Sequence, residues 1–311
     1  MKKLFLIDGN AIIHRAFHAL PNFTTSKGEL INAVYGFSSM LLNIINNQKP
    51  EYIAVSFDRA AETFRHKEFA EYKATRVPAP DELYAQIPRV KQVVEAFNIP
   101  IYEIDGFEAD DVLGTLAKQA TKATTPSPEL HTYIVTGDMD TLQLVTDRTS
   151  IFAPHKGFQE SIIYTPTNVL AKYGLTPSQI VDYKALKGDP SDNIPGVYGI
   201  GDKTAVQLLQ KYKTLDGIYE HLNEIPGALH EKLAKDRDKA YLSQHLAQIV
   251  TDVPVKLDID DCSTHKFNEE KLISLFKELE FTSLLAKLQK FNDHYGTGAA
   301  EEHSQAQQKL F

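Results

Sequence analysis

Short apolar runs that end next to an acidic residue recur along this chain and alternate with helical patterns. The runs are Lys3–Ile7, Tyr52–Phe57 and Tyr133–Thr136, and the acids that follow them are Asp8, Asp58 and Asp138. Runs of this length and composition predict buried strands. Because helices separate them, the pattern predicts an α/β fold with a parallel sheet and right-handed crossovers. The acids would then meet at the carboxyl edge of the sheet, where open α/β sheets bind ligands.

A second acidic run, Glu108–Asp111, opens an apolar helical pattern, and Asp140 adds a further acid just after Asp138. Two carboxylates about 4 Å apart repel by roughly 4 kcal/mol at an effective dielectric constant of 20. Such groups either raise the pKa of one another or share a cation. Oxygen ligands alone suit Mg²⁺ or Mn²⁺ better than zinc. Taken alone, Glu108–Asp111 is equally consistent with a helix N-cap beside solvated acids.

Composition narrows the class of protein. The chain has 311 residues, a formal net charge of −8 and one cysteine, Cys262, which excludes an internal disulfide and fits a reducing compartment. Asp8 and Asn10 interrupt the N-terminal apolar run too early for a signal peptide, and no stretch is long enough to span a bilayer. We therefore expect a cytoplasmic protein. The acidic balance argues against nucleic acid only if the acids are not bound to metal ions.

Basic and aromatic residues are concentrated between positions 59 and 76, before Pro78 and Pro80. This segment has no clean buried face, so we expect a mobile, partly helical excursion near the acidic edge. Its composition suits a nucleic-acid backbone and unstacked bases. A charged surface loop is the alternative.

The second half of the chain is predicted to be helical. Asp189 and Asp192 lie on a turn, and Gly199-Ile200-Gly201 opens a further helix that carries Lys203. Backbone amides at such a helix start can hold a phosphate. Because a helix and not a strand precedes this motif, it favours a helix–hairpin–helix grip on duplex backbone over a dinucleotide fold.

These patterns divide the chain into four parts. We expect an α/β core with its excursion over residues 1–164, a helical module over 165–255, C-terminal helices over 256–291 and a polar, flexible tail over 292–311.

Taken together, the motifs resemble the 5′→3′ exonuclease domain of bacterial DNA polymerase I, a branch of the flap endonuclease family. The resemblance covers about Lys3 to Phe291. Its motifs, in chain order, are Leu6–Asn10, Phe57–Asp58, Phe64–Arg65, Glu71–Arg76, Glu108–Asp111, Gly137–Asp140, Gly188–Val197 and Gly199–Ala205. Each is modest alone, but the order and spacing are specific.

The resemblance implies a PIN-like nuclease core, a helical arch over about 59–80 and a helix–three-turn–helix module. It implies two Mg²⁺ ions, replaceable by Mn²⁺ and about 4 Å apart, that hydrolyse a phosphodiester. The carboxylates that it places around them are Asp8, Asp58, Glu108, Asp110, Asp111, Asp138, Asp140, Asp189 and Asp192. The first, tighter site would use Asp8, Asp58, Glu108 and Asp110, and the second Asp138, Asp140, Asp189 and Asp192. Without these nine charges the chain would carry about +1.

The resemblance also implies roles for cationic and hairpin residues. Lys73 and Arg76 would neutralise the phosphate, joining Asp8, Asp58 and Asp110 as catalytic residues. Tyr72 would either stack on an unpaired base or pack the arch. The other expected DNA contacts are Arg15, Gly199, Ile200, Gly201, Lys203 and Thr204, with a K⁺ ion at the hairpin.

The implied substrates are DNA with a 5′ flap, nick or 5′ end and RNA primers on DNA, in bacterial replication and repair at the nucleoid. The last residues, Gln307–Phe311, resemble the bacterial sliding-clamp binding peptide through Gln307, Leu310 and Phe311. A frayed tail is the alternative. Because the chain stops at Phe311, both a free-standing nuclease and a fragment of a polymerase stay open.

Two other functions compete with this one. A PIN-like ribonuclease would have a smaller acidic set and no helix–three-turn–helix, so the region Asp189–Ala205 opposes it. A catalytically inactive DNA-binding scaffold would have lost acids, and none is missing here.

Overall fold

A six-stranded sheet is the centre of the computed structural model, which describes residues 1–122, 130–155, 160–264 and 267–288. The strands are β1 (Lys3–Asp8), β2 (Tyr52–Ser56), β3 (Ile101–Tyr102), β4 (His131–Val135), β5 (Thr149–His155) and β6 (Glu160–Tyr164). Their order is β3-β2-β1-β4-β5-β6. The first five run parallel, as predicted, whereas β6 pairs antiparallel with β5.

The strand order places β1 at the point where the chain changes its direction across the sheet. On one side Asp8 is in register with Ser56, and on the other Ile7 is in register with Val135. The carboxyl ends of β1, β2 and β4 are therefore level. An open α/β sheet forms its ligand crevice at such a switch point.

Helices cover both faces of the sheet in the first half of the chain. They are α1 (Gly9–Ala19), α2 (Asn32–Gln48), α3 (Phe64–Glu68), α4 (Asp81–Tyr84), α5 (Ile87–Ala96) and α6 (Ala109–Lys122). Alternate side chains of β1 point to opposite faces. Phe5 and Ile7 join one apolar cluster with α2 and α5, and Leu4 and Leu6 join another with α6.

The predicted arch is not a continuous helix. Within 59–80 only α3 is helical, and residues 70–75 form turns. Lys73 has a positive φ of 56°, which ends any helix there. The segment packs inward because Arg65 and Tyr72 are buried.

The second half is helical, as expected. Its helices are α7 (Pro166–Tyr173), α8 (Ile180–Lys187), α9 (Asp202–Tyr212), α10 (Leu215–Glu220), α11 (Gly227–Lys235), α12 (Arg237–Ala247) and α13 (Glu269–Glu278), followed by helical residues 282–288. Leu186, Leu209 and Leu233 belong to a separate apolar cluster. Val169 of α7 joins the sheet cluster instead, so α7 packs with the core.

The chain then returns to the sheet domain. Residues 253–262 contain no helix, and the Ile53 amide donates to the carbonyl of Cys262 at 2.8 Å. Among the described helices, none combines the length and the apolar character needed to cross a membrane. The tail at 292–311, with Gln307, Leu310 and Phe311, lies outside the described residues.

Candidate metal centre

Five of the predicted carboxylates line one cleft at the carboxyl edge of the sheet: Asp8, Asp58, Glu108, Asp110 and Asp138. Asp8 ends β1, and its Oδ1 caps α1 by accepting from the Ala11 amide at 2.9 Å. Asp58 follows β2, and its Oδ1 accepts from the Ala109 amide at 2.7 Å. That bond joins the end of β2 to the start of α6. Residues from four segments thus reach the same cleft.

An adjoining cleft continues the acidic surface. It shares Glu108, Asp110 and Asp138 with the first cleft and adds Asp140 and Asp192. One carboxylate oxygen each from Asp140, Asp189 and Asp192 lies within 4.8 Å of the other two. The two clefts therefore form one continuous surface, which we call the acidic rim: Asp8, Asp58, Glu108, Asp110, Asp138, Asp140, Asp189 and Asp192.

The Asp189–Asp192 part of the rim depends on a tight turn after α8. Gly188 has a φ of 78°, and a Cβ there would lie 2.7 Å from the Ile194 carbonyl oxygen. Only glycine fits this approach without strain. The Asp189 carboxylate then accepts from both the amide and the hydroxyl of Ser191, at 2.9 and 2.7 Å.

Burial changes the protonation of the rim. It raises the pKa of Asp8 to about 7, with a further contribution from Asp58. Burial also raises the pKa of Asp58, that of Asp110 well above its usual range, and that of Asp140 to about 6. A bound cation would stabilise the ionised forms of these carboxylates. Their all-oxygen donor set fits Mg²⁺ or Mn²⁺.

Cationic side chains contact the rim, among them Arg65, whose Nη1 lies 3.6 Å from Glu108 Oε2. Lys73 Nζ lies 2.7 Å from Glu108 Oε1, and Arg76 Nη2 lies 2.5 Å from Asp192 Oδ1. Lys184, on α8, bridges Asp140 at 2.5 Å and Asp189. Burial lowers the pKa of Lys73, but Glu108 and Asp192 raise it by more, so the ammonium stays charged.

The structure places Asp111, which was predicted to be a metal ligand, against Arg65 and outside the residues that line the two clefts. Asp111 is 0 % exposed, and its two oxygens each accept from Arg65 at 2.8 Å. They also accept from the amides of Glu108 and Val250, at 3.1 and 2.8 Å. The carboxylate is fully used as an acceptor away from the clefts.

Tyr72 follows the packing alternative rather than the base-stacking one. It is 3 % exposed and joins an apolar cluster with Ile194 and Leu246. Its hydroxyl lies 3.2 Å from a carboxylate oxygen of both Glu108 and Asp192. The enclosure of the ring favours the packing role of Tyr72 over the base-stacking role.

The hairpin residues lie apart from the rim, at the start of α9. Gly199 has a φ of 76°, and its carbonyl accepts from Lys232 Nζ at 3.0 Å. Ile200 is buried in the helical cluster, so only its backbone is available. Apart from Gly201 and its two chain neighbours, no atom of the described residues lies within 4 Å of a Cβ placed on Gly201, which leaves this helix start open to a ligand. Lys203 is exposed and Thr204 is partly buried.

Arg15 extends the site along α1. With His14 and His18 it lines a shallow cleft that borders the rim at Asp138. Burial, with a smaller contribution from His18, lowers the pKa of His14, which favours its neutral form. This cleft continues from the rim along α1.

Sequence reasoning missed two residues that organise the rim. The Thr136 hydroxyl donates to Asp8 Oδ2 at 2.9 Å and accepts from the Asp138 amide at 3.0 Å. Lys184 was also missed. For Thr136 the signal was its position two residues before Asp138 at a strand end. For Lys184 it was a cation one helical turn before an acidic turn.

Comparison with known proteins gives two family matches that together cover most of the chain. The 5′-3′ exonuclease N-terminal resolvase-like domain matches residues 3–174. The 5′-3′ exonuclease C-terminal SAM fold matches residues 175–270.

Curated relatives are DNA polymerases I. The protein from Caldicellulosiruptor bescii is 44 % identical over 288 residues, which are 92 % of this chain and 33 % of the relative. The protein from Bacillus subtilis is 43 % identical, with 92 % of this chain and 32 % of the relative covered. The chain thus spans about a third of the length of these relatives.

Solved structures share the fold. A bacteriophage T5 flap endonuclease, in a pseudo-enzyme–product complex with DNA and metal ions, matches with a TM-score of 0.66 and 20 % identity, over 93 % of this chain and 100 % of the other. The catalytic core of Rad2 in complex with DNA substrate matches with a TM-score of 0.56 and 16 % identity, over 89 % and 88 %. Both carry the mixed α/β sheet with a helical second half.

Proposed function

This chain belongs to the 5′-3′ exonuclease family, and on that premise we propose that it hydrolyses phosphodiester bonds at 5′ ends and 5′ flaps of DNA with divalent metal ions. The observation that carries the proposal is the acidic rim, where carboxylates from distant parts of the chain share one continuous surface. Repelling carboxylates gathered in this way are typical of a metal-dependent nuclease.

We assign the rim to two Mg²⁺ ions, which Mn²⁺ can replace. When bound, such ions lower the pKa of a water molecule and stabilise the charge of the leaving oxygen. Asp8, Asp58, Glu108 and Asp110 would hold the first. Asp138, Asp140, Asp189 and Asp192 would hold the second, and the close approach of three of these residues supports that assignment. Asp111 has no place in either set.

Lys73 and Arg76 have the positions needed to receive the scissile phosphate. Both side chains line the first cleft together with Asp8 and Asp58. In this structure their charges are directed at Glu108 and Asp192. A substrate phosphate brings negative charge to the same place, so these cations would transfer part of their contact to it and stabilise the transition state.

The helical module would hold the duplex beside the cut. The open helix start at Gly201, with exposed Lys203, offers amides and positive charge to one backbone phosphate. Arg15 would contact the strand beyond the rim. A K⁺ ion at the hairpin belongs to this proposal, although Lys232 already uses the Gly199 carbonyl. If the proposal holds, Gly201→Val weakens duplex binding more than single-strand cleavage. Equal losses on both substrates would speak against the hairpin.

The finer substrates and partners extend the same proposal. Nicked duplexes and RNA primers on DNA present the same 5′ end to the rim, which fits a role in bacterial replication and repair at the nucleoid. The tail ending in Gln307–Phe311 would bind a sliding clamp, because two terminal apolar residues suit a pocket. Unchanged clamp affinity after removal of residues 307–311 would refute this part.

One assay tests the central proposal. Labelled 5′-flap, nicked and single-stranded DNA are incubated with the protein in Mg²⁺ or EDTA. We expect cleavage of the flap in Mg²⁺ and none in EDTA. The Asp138→Ala variant should bind the flap duplex but not cut it. Full cleavage by this variant, or cleavage in EDTA, would defeat the metal-dependent function.

A further inference from the structure

A buried ion pair lies directly behind the acidic rim. Arg65 is 2 % exposed and is the bulkiest fully buried side chain of the described residues. Its Nη1 and Nη2 atoms each lie 2.8 Å from one oxygen of Asp111. Separating the two side chains would leave each charge buried without a partner, which is strongly destabilising. The pair is therefore held in this geometry. The rim assignments leave this pair without a role.

The pair joins the rim to the end of the helical module. Arg65 Nε donates to the Leu246 carbonyl at 2.9 Å, and Nη2 donates to the Gln248 carbonyl at 2.8 Å. Asp111 accepts from the Val250 amide at 2.8 Å. These three positions lie where the chain leaves α12. Three segments distant in sequence therefore meet at one guanidinium–carboxylate fork.

The same pair contacts the rim residues on either side of it. Asp111 Oδ2 accepts from the Glu108 amide at 3.1 Å, and the Asp111 amide donates to Asp110 Oδ1 at 2.7 Å. Arg65 Nη1 lies 3.6 Å from Glu108 Oε2. A displacement of the fork would therefore move both Glu108 and Asp110.

The duplex-binding hairpin is connected to the other side of the fork. Ile200 of the hairpin and Ala240 of α12 belong to one apolar cluster, so they move together with the helical module. We propose that Arg65 and Asp111 are positioning residues that couple duplex binding by the helical module to the placement of Glu108 and Asp110. This rests on the proposed function, since it requires DNA at both places.

The first experiment uses Arg65→Lys and Asp111→Asn, which keep the approximate size of each side chain. The control is Arg89→Lys, which alters a similar fork with Glu29, formed at 2.6 and 3.1 Å outside the rim. Single-turnover rates are measured on a saturating 5′-flap duplex and on a single strand too short to reach the hairpin. Duplex affinity and the number of bound Mn²⁺ ions are measured in parallel.

We expect Arg65→Lys and Asp111→Asn each to lower the flap rate by about 10- to 100-fold, the range seen for residues that orient metal ligands. Duplex affinity should stay within about twofold. The ratio of flap rate to single-strand rate should fall in both variants and not in Arg89→Lys. Equal losses on the two substrates would reduce the pair to a structural role. Loss of one Mn²⁺ ion in Asp111→Asn, with the full number of ions retained in Arg65→Lys, would make Asp111 a ligand. Either result overturns the proposal.

A double variant separates charge compensation from metal binding. Arg65→Gln added to Asp111→Asn removes the uncompensated guanidinium, so the flap rate should recover by about threefold or more over Asp111→Asn alone. Absence of recovery would overturn the coupling. If circular dichroism shows that Asp111→Asn is unfolded, the same measurements are made on Arg65→Lys and on the milder Thr115→Val. Thr115 lies on α6 and its Oγ1 accepts from the Val253 amide at 3.1 Å, close to where Asp111 meets the Val250 amide. A wild-type protein that cuts none of the DNA substrates would refute the proposed function. An active wild-type protein whose ratio of flap rate to single-strand rate is unchanged in Arg65→Lys and Asp111→Asn would refute only the coupling.

Discussion

The acidic rim has a first half (Asp8, Asp58, Glu108 and Asp110) and a second half (Asp138, Asp140, Asp189 and Asp192). The two halves offset the repulsion between their carboxylates in different ways. Asp8, Asp58 and Asp110 accept hydrogen bonds from backbone amides, Asp8 also from a threonine hydroxyl, and burial raises the pKa of each of them. Asp140, Asp189 and Asp192, in contrast, are joined to the ammonium of Lys184 and the guanidinium of Arg76.

The difference indicates what a metal ion has to displace in each half. In the first half the competitor is a proton, because an uncompensated buried carboxylate takes one up. In the second half a side-chain cation that the protein supplies is an additional competitor, beside the proton favoured at Asp140, whose pKa burial raises to about 6. Asp189 shows this: burial raises its pKa, but Lys184 and Ser191 lower it by more, so it stays ionised. The first half should therefore respond to pH, and the second to the removal of Lys184.

The largest predicted effect is a difference in cleavage rate between a variant of the first half and a variant of the second half. Asp110 lines both clefts, whereas Asp189 contributes from the turn after α8. Loss of a direct ligand removes several kcal/mol of transition-state stabilisation, so Asp110→Asn should lower the single-turnover rate on a 5′ flap by about 10³-fold or more. Asp189→Asn should cost clearly less, because its neighbours Asp140 and Asp192 remain.

The measurement is single-turnover cleavage at saturating Mg²⁺ with duplex affinity checked for each variant. Equal losses for the two variants would show that the halves are not distinct. A greater loss for Asp189→Asn would reverse the comparison.

The contrast also shows what the sequence was able to reveal. Asp8, Asp58 and Asp138 were predictable because a strand end is a local pattern, and parallel strands bring their ends to one edge. The choice between Asp110 and Asp111 was not. Successive residues of a helix point about 100° apart, and the direction that faces inward is decided by Arg65, which lies far away in sequence. Composition alone does not distinguish the two residues.

The role of Tyr72, for which packing and base stacking both stayed open, and the role of Lys184, which was missed, have a related explanation. Tyr72 lies in a segment with no helical period, and its burial depends on Ile194 and Leu246 from the helical module. Lys184 meets Asp140 only when α8 packs beside the rim. Contacts between parts of the chain distant in sequence leave no local pattern, so periodicity could not decide the packing of Tyr72 or reveal that Lys184 meets Asp140.

The second prediction tests whether a proton competes with the metal ion for the buried carboxylates of the first half. Burial raises the pKa of Asp8 from its ordinary value of 3.8, which applies to the unfolded chain, to about 7 in the folded protein. Between these values the folded state binds the extra proton, so in EDTA its stability should fall as pH rises from about 4 to 7. The full contribution is roughly 4 kcal/mol. Asp8→Asn should remove this loss and raise the melting temperature of the metal-free protein at pH 8.

Thermal unfolding of both proteins in EDTA at pH 5 and pH 8 measures the effect. At pH 5 the two melting temperatures should lie closer together than at pH 8, because folded Asp8 is then protonated and only the first part of the loss between about pH 4 and 7 has occurred. Added Mg²⁺ should stabilise the wild-type protein more than the variant at pH 8. A variant less stable than the wild-type protein at pH 8 in EDTA would show that burial of the charged Asp8 carboxylate does not destabilise the fold.

The smallest effect concerns the side-chain cation in the second half. Lys184→Met keeps most of the aliphatic length of the side chain and removes the ammonium that bridges Asp140 and Asp189. Burial would lower the pKa of Lys184, but the two carboxylates raise it by more, so the competitor is charged at all working pH values. Removing it should tighten the weaker of the two Mn²⁺ affinities by about fivefold, close to 1 kcal/mol, without DNA present.

Lys187→Met is the matched control, because this residue lies on the same helix and pairs with Asp202 at 2.6 Å outside the rim. Mn²⁺ binding is followed by calorimetry at pH 7.5, where the number of ions and both affinities are obtained together. If Lys184 instead helps to hold the Asp189 turn in place, Lys184→Met will weaken the second ion. That result would mean that the ammonium orients the second half of the rim and does not compete for it, and the two halves would then differ in pKa but not in the way they admit a metal ion.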